Sequence, residues 1–260
     1  MQTDDGSRRT SHGTRQFRRG IYLLPSIITV GNLFCGYACI VFAMRNDLES
    51  AAPFVGFSVV LDMLDGRLAR MTKTASAFGL EFDSLADVIS FGVAPAVLAF
   101  AWGLSELGRV GWAAGFVYLT ATAMRLARFN IQTTTPQADK RYFVGMPSPA
   151  AAGIIAATVY AWPYPLVGFA QAMAAVAVVL VPAALMVSTI RFRSFKTINF
   201  GWSPSYIQII IVAALIAFVA TEPKITLVII SYSYLLSAFI EMAILRLRHR
   251  EDPPRVEVSS

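Results

Sequence analysis

Four aspartates between residues 62 and 87 are the side chains of this sequence best suited to chemistry. Asp62 and Asp65 are three residues apart, and Asp83 and Asp87 are four apart, so each pair shares one face of a helix. All four lie at or near the ends of long apolar segments, and acidic residues in membrane segments usually mark functional sites. Two helix ends that face one another would place the four carboxylates in one pocket, where bound cations must offset their mutual repulsion.

The chemistry of this pocket favours particular metal ions. Carboxylate oxygens are hard ligands that suit Mg²⁺, Mn²⁺ or Ca²⁺ rather than zinc. Four of them can hold two ions, an arrangement that stabilises the attacking and leaving oxygens in phosphoryl transfer. We therefore expect two divalent metal ions as cofactors, Mg²⁺ or Mn²⁺, with Ca²⁺ able to occupy the site as a substitute.

The segment that contains the aspartates resembles the signature of the CDP-alcohol phosphotransferase family. Every fixed position of that signature is present at the family's spacing, as Asp62-x2-Asp65-Gly66-x2-Ala69-Arg70-x8-Gly79-x3-Asp83-x3-Asp87. The resemblance implies that the first three aspartates ligate metal, and that Asp87 is the general base and also contacts a metal. It implies that a CDP-linked substrate contacts the intervening residues Gly66, Ala69, Arg70, Thr72, Lys73, Ser76 and Gly79.

Polar residues in the first apolar segment extend the resemblance. A Pro-x3-Thr-x2-Asn pattern, here Pro25, Thr29 and Asn32, is usual in the first helix of this family. We assign Thr29 and Asn32 to the nucleotide side of the pocket. The alternative is that they form hydrogen bonds between helices, as small polar residues commonly do in membranes.

Two further segments narrow the resemblance to the integral-membrane phosphatidylserine synthase branch of the family. They are RLARFN at residues 125–130 and GMPSPAAA at residues 145–152, together with DSLADVISFGVAPA at residues 83–96. This resemblance implies that the phosphatidyl group of CDP-diacylglycerol passes to L-serine, with CMP as the leaving group. The choice of serine as the acceptor rests on this resemblance and not on charge, because arginines would also suit other anionic acceptors.

Arg125 and Arg128 share a face of the fourth predicted helix. We interpret them as a clamp for a serine carboxylate or a lipid phosphate, to which Asn130 could add a hydrogen bond. The alternative is that both arginines extend to the membrane surface. Ser148 is expected to cap the helix that begins there.

The composition indicates an all-α integral membrane protein. The chain has 260 residues, of which 56% are hydrophobic and 15% charged, and its mean hydropathy is +0.58, too apolar for an ordinary soluble domain. Apolar runs of about 20 residues can cross a bilayer. They predict about eight transmembrane helices, at 21–44, 50–71, 83–104, 109–129, 148–165, 168–189, 204–221 and 224–245. The fifth and sixth could instead form a re-entrant pair.

The distribution of positive charge predicts the orientation in the membrane. With eight helices, only Arg45, Arg109 and Lys224 of the 22 lysine and arginine residues fall on the side opposite the others. The positive-inside rule therefore places both termini and the polar pocket on the cytoplasmic side of the cell's inner or plasma membrane. The net charge of +6 suits anionic membrane lipids rather than nucleic acid.

The domain organisation is simple. We predict a basic cytoplasmic or interfacial tail at 1–20, one transmembrane catalytic domain at 21–248 and a disordered cytoplasmic tail at 249–260. Cys35 and Cys39, four residues apart on one helix, are interpreted as packing residues. The family resemblance implies a homodimer.

The sequence allows two alternatives and disfavours a third. The same chemistry could use glycerol 3-phosphate, inositol phosphate or choline as the acceptor. The aspartates could instead be the ion site of a coupled transporter, although transporter sites usually lie near the bilayer midplane and not at one membrane face. The third alternative, a purely structural membrane protein, does not explain the ordered motif.

Overall fold

The computed structural model describes residues 12–72, 77–134, 142–188, 191–193, 210, 213, 217–218 and 220–251. Helices dominate these residues, which confirms the predicted helical architecture. The α-helices are α1 (His12–Met44), α2 (Leu48–Thr72), α3 (Ala77–Asp87), α4 (Ala94–Trp102), α5 (Arg109–Thr134), α6 (Ser148–Ala161), α7 (Phe169–Val187) and α8 (Pro223–Glu251). A π-helix at Val88–Val93 joins α3 to α4, and a 3₁₀ helix at Leu104–Leu107 follows α4.

Three stretches among the described residues are long and apolar enough to cross a membrane, judged by length and composition. They are Ile27–Met44 in α1, Phe78–Trp102 across α3, the π-helix and α4, and Phe169–Val187 in α7. The apolar helix α6 has only 14 residues, fewer than the 20 or so that usually span a bilayer. The predicted count of about eight spans therefore stays a prediction. The seventh predicted segment, at 204–221, lies largely outside the described residues.

Several helix boundaries differ from the prediction: α6 ends at Ala161 and not at 165, and α8 continues to Glu251 and not only to 245. Helix α1 begins at His12, so part of the predicted tail at 1–20 is continuous with the first helix. The third predicted helix is divided into α3, the π-helix and α4. The remaining tail, at 1–11, and residues 252–260 lie outside the described residues, so the predicted domain boundaries stay untested.

Helices α1 and α2 form an antiparallel hairpin around the first part of the core. The turn between them contains Asn46 in the left-handed region, with φ 57°, and Asp47 accepts a hydrogen bond from the Ser50 backbone N–H at 3.1 Å. Asp47 therefore caps α2. Cys39 is buried in the core, and both Cys35 and Cys39 are free thiols, which agrees with their interpretation as packing residues.

The π-helix lies against both α1 and α5. A Cβ atom on Gly36 of α1 would lie 2.6 Å from the Ser90 hydroxyl oxygen and 2.9 Å from the Ser90 Cα, so only glycine permits this approach. On the other side, the buried Tyr118 of α5 donates a hydrogen bond to the Phe91 carbonyl at 3.0 Å. These contacts fix α1 and α5 relative to the residues that follow Asp87.

A two-stranded antiparallel ribbon adjoins α6 and α7. Strand β1 (Tyr142–Val144) pairs with β2 (Arg191–Arg193), with Phe143 opposite Phe192. Three-residue strands are too short to show an alternating pattern, so no sequence signal indicated this ribbon. After β1 the chain turns at Gly145, where φ is +88° and a Cβ atom would lie 2.4 Å from the Met186 carbonyl oxygen.

Helix α6 begins without the cap that we expected. Its N-cap residue is Pro147, which provides no side-chain cap, and Ser148 is already the first helical residue. The expectation that Ser148 caps this helix was therefore wrong. The Ser148 hydroxyl instead accepts a hydrogen bond from Arg125 of α5.

Helix α8 is attached to two other helices near its start. The Lys224 ammonium lies 2.8 Å from a Glu49 carboxylate oxygen of α2. The Tyr232 hydroxyl lies 3.0 Å from the Thr158 hydroxyl of α6. These contacts bring the next part of α8, which contains Tyr234, towards Arg125 of α5.

Candidate active site

The second half of α2 and the end of α3 bring the four predicted aspartates together. Carboxylate oxygens of Asp62, Asp83 and Asp87 all lie within 4.8 Å of one another. Asp65 belongs to the same cluster, because it interacts electrostatically with Asp62 and Asp83. The structure thus has the convergence that the i, i+3 and i, i+4 spacings predicted.

The cluster fits divalent metal ions. Asp65 is only 3% exposed, and one oxygen of Asp65 and one of Asp83 are buried without a hydrogen-bond partner among the described residues. Buried polar atoms normally have partners, and leaving one without any costs about 1–3 kcal/mol. A cation ligated by these oxygens would remove that cost and the repulsion between the carboxylates. The all-oxygen donor set suits Mg²⁺, Mn²⁺ or Ca²⁺.

Helix α1 supplies two hydrogen bonds to the cluster. The Thr29 hydroxyl donates to an Asp65 oxygen at 3.1 Å, and the Asn32 amide donates to an Asp87 oxygen at 3.2 Å. The backbone carbonyl of Asn32 accepts hydrogen bonds from Ser58 of α2 and Ser90 of the π-helix, at 3.3 and 3.0 Å. Asn32 is therefore held at the junction of three helical segments, with its side chain at the aspartates.

Arg125 of α5 is directed towards this site. Its guanidinium donates to the Ser148 hydroxyl at 2.6 Å and lies 5.6 Å from the centre of the Phe129 ring. It also interacts electrostatically with Asp62 and Asp87. Sequence reasoning identified the arginine but missed Ser148 as its partner, because that serine was interpreted as a helix cap.

Arg128 and Asn130 lie further along α5 and have different surroundings from Arg125. Arg128 is half-buried one helical turn further along α5. The Asn130 amide donates to the Ser84 hydroxyl at 2.8 Å, which joins α5 to α3 beside Asp83. The predicted roles of these two residues in substrate binding stay predictions.

Tyr234 of α8 is a neighbour of the site that sequence reasoning did not identify. It interacts electrostatically with Arg125. No motif marks this tyrosine, which lies in an apolar helix far from the aspartates in sequence. Glu241, an acid of α8 to which the sequence assigned no role, has a side chain outside the described set.

The predicted nucleotide-contacting residues are only partly described. Gly66 follows Asp65 on α2, and no atom of the described residues lies within 4 Å of the position that its Cβ would occupy, so on that side the described part of the chain leaves the backbone open to a ligand. Gly79 lies in α3. The side chains of Ala69, Arg70 and Thr72, and the whole of Lys73 and Ser76, lie outside the described residues.

Comparison with known proteins gives consistent results. The profile of the family described as CDP-alcohol phosphatidyltransferase matches residues 22–190. A CDP-diacylglycerol–serine O-phosphatidyltransferase from Helicobacter pylori is 40% identical over 186 residues, which cover 70% of this chain and 76% of the relative. A protein of the same name from Mycobacterium leprae is 42% identical, over 51% of this chain and 45% of the relative. An archaetidylserine synthase from Methanothermobacter thermautotrophicus is 32% identical, over 65% of this chain and 69% of the relative.

Proposed function

We propose that this chain, which belongs to the CDP-alcohol phosphatidyltransferase family, transfers the phosphatidyl group of CDP-diacylglycerol to the hydroxyl of L-serine. The products are phosphatidylserine and CMP. The observation that carries the proposal is the convergence of three carboxylates within 4.8 Å in a chain that is 40% identical to a CDP-diacylglycerol–serine O-phosphatidyltransferase.

Serine is the acceptor best supported by the relatives. The names of the bacterial and the archaeal relatives both include serine, although they differ in the lipid part. The site itself suits an amino acid, because it offers both carboxylates and an arginine, Arg125, that interacts with Asp62 and Asp87. A zwitterion such as serine can engage charges of both signs.

The four aspartates Asp62, Asp65, Asp83 and Asp87 would hold two divalent ions, Mg²⁺ or Mn²⁺. When bound, these ions neutralise charge on the pyrophosphate and stabilise the departing phosphate of CMP. Gly66 exposes backbone to the substrate, and a larger residue there would reduce the space available to it. Thr29 orients Asp65 by its hydrogen bond, and the remaining nucleotide contacts come from residues 69–79.

Asp87 acts as the general base in this proposal. The serine hydroxyl oxygen attacks the phosphorus that carries the diacylglycerol, and the hydroxyl proton passes to the Asp87 carboxylate. The new phosphorus–oxygen bond to serine forms as the bond to the CMP oxygen breaks, and CMP retains that electron pair. The sequence contains no residue marked as a covalent phosphoryl carrier, so we favour direct displacement.

Arg125 and Arg128 are assigned to the serine carboxylate or to lipid phosphate. Arg125 is the stronger candidate because Ser148 and Phe129 fix its guanidinium beside the aspartates. A planar guanidinium held in this way binds a carboxylate through two parallel hydrogen bonds.

The proposal includes the membrane arrangement inferred from the sequence. About eight helices cross the membrane, the site opens to the cytoplasm, and the protein is a homodimer. The three candidate spans support a membrane location. A single-cysteine variant near Arg45, labelled in intact cells by a membrane-impermeant reagent, tests the orientation, since this turn is expected on the outer side.

The function is tested by CMP release from purified protein in detergent with CDP-diacylglycerol and Mg²⁺ or Mn²⁺. Release should require serine and should be abolished in Asp87→Asn. Release with glycerol 3-phosphate, inositol phosphate or choline, but not with serine, would keep the chemistry and overturn the acceptor. If no alcohol supports release while metal still binds, the ion-coupled transporter becomes the better interpretation.

A further inference from the structure

The carboxamide of Asn32 has a hydrogen-bond partner at its nitrogen and, among the described residues, none at its oxygen. Its nitrogen donates to Asp87 at 3.2 Å. Its oxygen is buried and has no hydrogen-bond partner among the described residues, and the whole residue is 0% exposed. A fully buried amide oxygen without a donor is costly, so this atom is expected to meet a donor on a ligand.

The orientation of the amide follows from its neighbour. An ionised carboxylate accepts hydrogen bonds only, so the NH₂ group of Asn32 must face Asp87 and the oxygen must face away from it. The backbone of Asn32 is fixed by the Ser58 and Ser90 hydroxyls, which both donate to its carbonyl. The free oxygen therefore has a defined position next to the proposed base.

We propose that the Asn32 side-chain oxygen accepts a hydrogen bond from the ammonium group of the acceptor amino acid. This inference rests on the proposed function, in which the serine hydroxyl approaches Asp87. In serine, the carbon that bears the hydroxyl is bonded directly to the carbon that bears the ammonium group. A hydroxyl at Asp87 thus brings the ammonium group to the other end of the same carboxamide.

This contact completes the recognition of serine. Asp87 receives the hydroxyl, Asn32 receives the ammonium group, and Arg125 faces the same cluster with a charge suited to the carboxylate. Choline has a quaternary ammonium group without an N–H and would leave the Asn32 oxygen without a donor, and glycerol 3-phosphate offers only a neutral hydroxyl there in place of a charged donor. A site built around a buried polar group discriminates strongly against substrates that leave it unpaired. Asn32 is therefore a specificity-determining residue.

The test uses two competitors of serine on the full-length protein in detergent. L-alanine retains the ammonium and carboxylate groups but lacks the hydroxyl, and 3-hydroxypropionate lacks only the ammonium group. In Asn32→Ala, the inhibition constant of L-alanine should rise about 10- to 100-fold, the range for loss of a hydrogen bond to a charged group. That of 3-hydroxypropionate should change by no more than about twofold.

Two variants accompany Asn32→Ala. Asn32→Asp keeps an acceptor oxygen but loses the donor to Asp87, so L-alanine inhibition should be retained while kcat falls. If Asn32→Ala does not fold, Asn32→Asp is used in its place. Ser105→Ala is the matched control, because it removes an exposed serine hydroxyl from the 3₁₀ helix after α4 and leaves the surroundings of Asn32 untouched. Its inhibition constants should stay within about twofold of wild type.

The outcomes separate this inference from the proposed function. If wild type releases no CMP with serine, the proposed function fails. If wild type uses serine but Asn32→Ala weakens both competitors equally, or neither, the assignment of Asn32 is overturned. It is also overturned if L-alanine inhibition is lost in Asn32→Asp, or if Asn32→Ala raises only the Mn²⁺ concentration for half-maximal activity, since the amide would then be a metal ligand.

Discussion

The Tyr118 hydroxyl donates a hydrogen bond to the backbone carbonyl of Phe91 at 3.0 Å, between the middle of α5 and the π-helix that follows Asp87. Four residues after Phe91 the chain has Pro95, which lacks the N–H that would bond this carbonyl in an α-helix. Tyr118 thus supplies a donor to a carbonyl that Pro95 cannot bond. Because Arg125 lies two turns further along α5, the same bond sets the distance between the arginine and Asp87.

Tyr118→Phe should lower the free energy of unfolding by about 0.5–1.5 kcal/mol, because it removes a buried hydrogen bond. In a Pro95→Ala background the loss should be smaller, since the restored N–H can satisfy the Phe91 carbonyl. Thermal unfolding of the four proteins of this double-mutant cycle, in one detergent, measures the coupling. Equal losses in both backgrounds would contradict the assignment of Tyr118 as the substitute donor.

Gly36→Ala should be among the most damaging small substitutions in the chain. Its Cβ would lie 2.6 Å from the Ser90 hydroxyl oxygen and 2.9 Å from the Ser90 Cα, so α1 and the π-helix must separate. Overpacking of this kind costs about 1–3 kcal/mol, and the separation would also move Asn32 away from Asp87. We expect a lower melting temperature and reduced CMP release.

Gly56→Ala is the control for this substitution. Gly56 lies on an exposed part of α2, and among the residues that the structure describes no atom lies within 4 Å of its would-be Cβ. Alanine should be tolerated there, with a gain of up to about 1 kcal/mol in helix propensity. Equal effects of the two variants on stability would show that the Gly36–Ser90 approach is not the cause.

The aspartate cluster could be predicted from the sequence because helical spacing alone places each pair of aspartates on one face of a helix. The four residues are Asp62, Asp65, Asp83 and Asp87. Thr29 and Asn32 of α1 were recognised as residues of the site, but their hydrogen bonds to Asp65 and Asp87 were not predicted. The π-helix could not be predicted, because the hydrogen-bond pattern of Val88–Val93, a mostly apolar run that contains Ser90, depends on packing against Gly36 and Tyr118. Ser148 was misassigned for a related reason, since a serine after a proline resembles a cap until its neighbour Arg125 is known.

Metal should stabilise the protein, and this effect should depend on Asp65. Ions at 100 times their dissociation constant add about 2.7 kcal/mol, which corresponds to a rise in melting temperature of roughly 5–10 °C. Asp65→Asn removes one ligand and one repelling charge, so the metal-free protein should melt no lower than wild type while the metal-induced rise shrinks. CMP release should fall at least about 100-fold, as expected for loss of about 2.7 kcal/mol of transition-state stabilisation.

The control for this experiment is Glu106→Gln, which removes an exposed acid from the 3₁₀ helix after α4. It should leave the metal-induced rise in melting temperature unchanged. A full-sized rise in Asp65→Asn would show that Asp65 does not ligate metal. Titration with Mn²⁺ and Mg²⁺ on protein first treated with a chelator provides the measurement.

Arg125 should determine the affinity for serine more strongly than its neighbours. Arg125→Lys loses the planar guanidinium, and the KM for serine should rise about 10- to 100-fold with a smaller change in kcat. Arg109→Lys, at the exposed start of the same helix, is the control and should leave KM unchanged. An unchanged KM in Arg125→Lys would remove this residue from the serine site.

Ser148 should act through Arg125 and not directly on the substrate. Ser148→Ala removes the 2.6 Å hydrogen bond that fixes the guanidinium, so the KM for serine should rise about 2- to 10-fold. In the double variant with Arg125→Lys, the loss of Ser148 should add little, because the group that it positions has already gone. Additive effects on KM, measured by CMP release at saturating CDP-diacylglycerol, would mean that Ser148 contacts serine itself, and α6 would then contribute to the binding site directly.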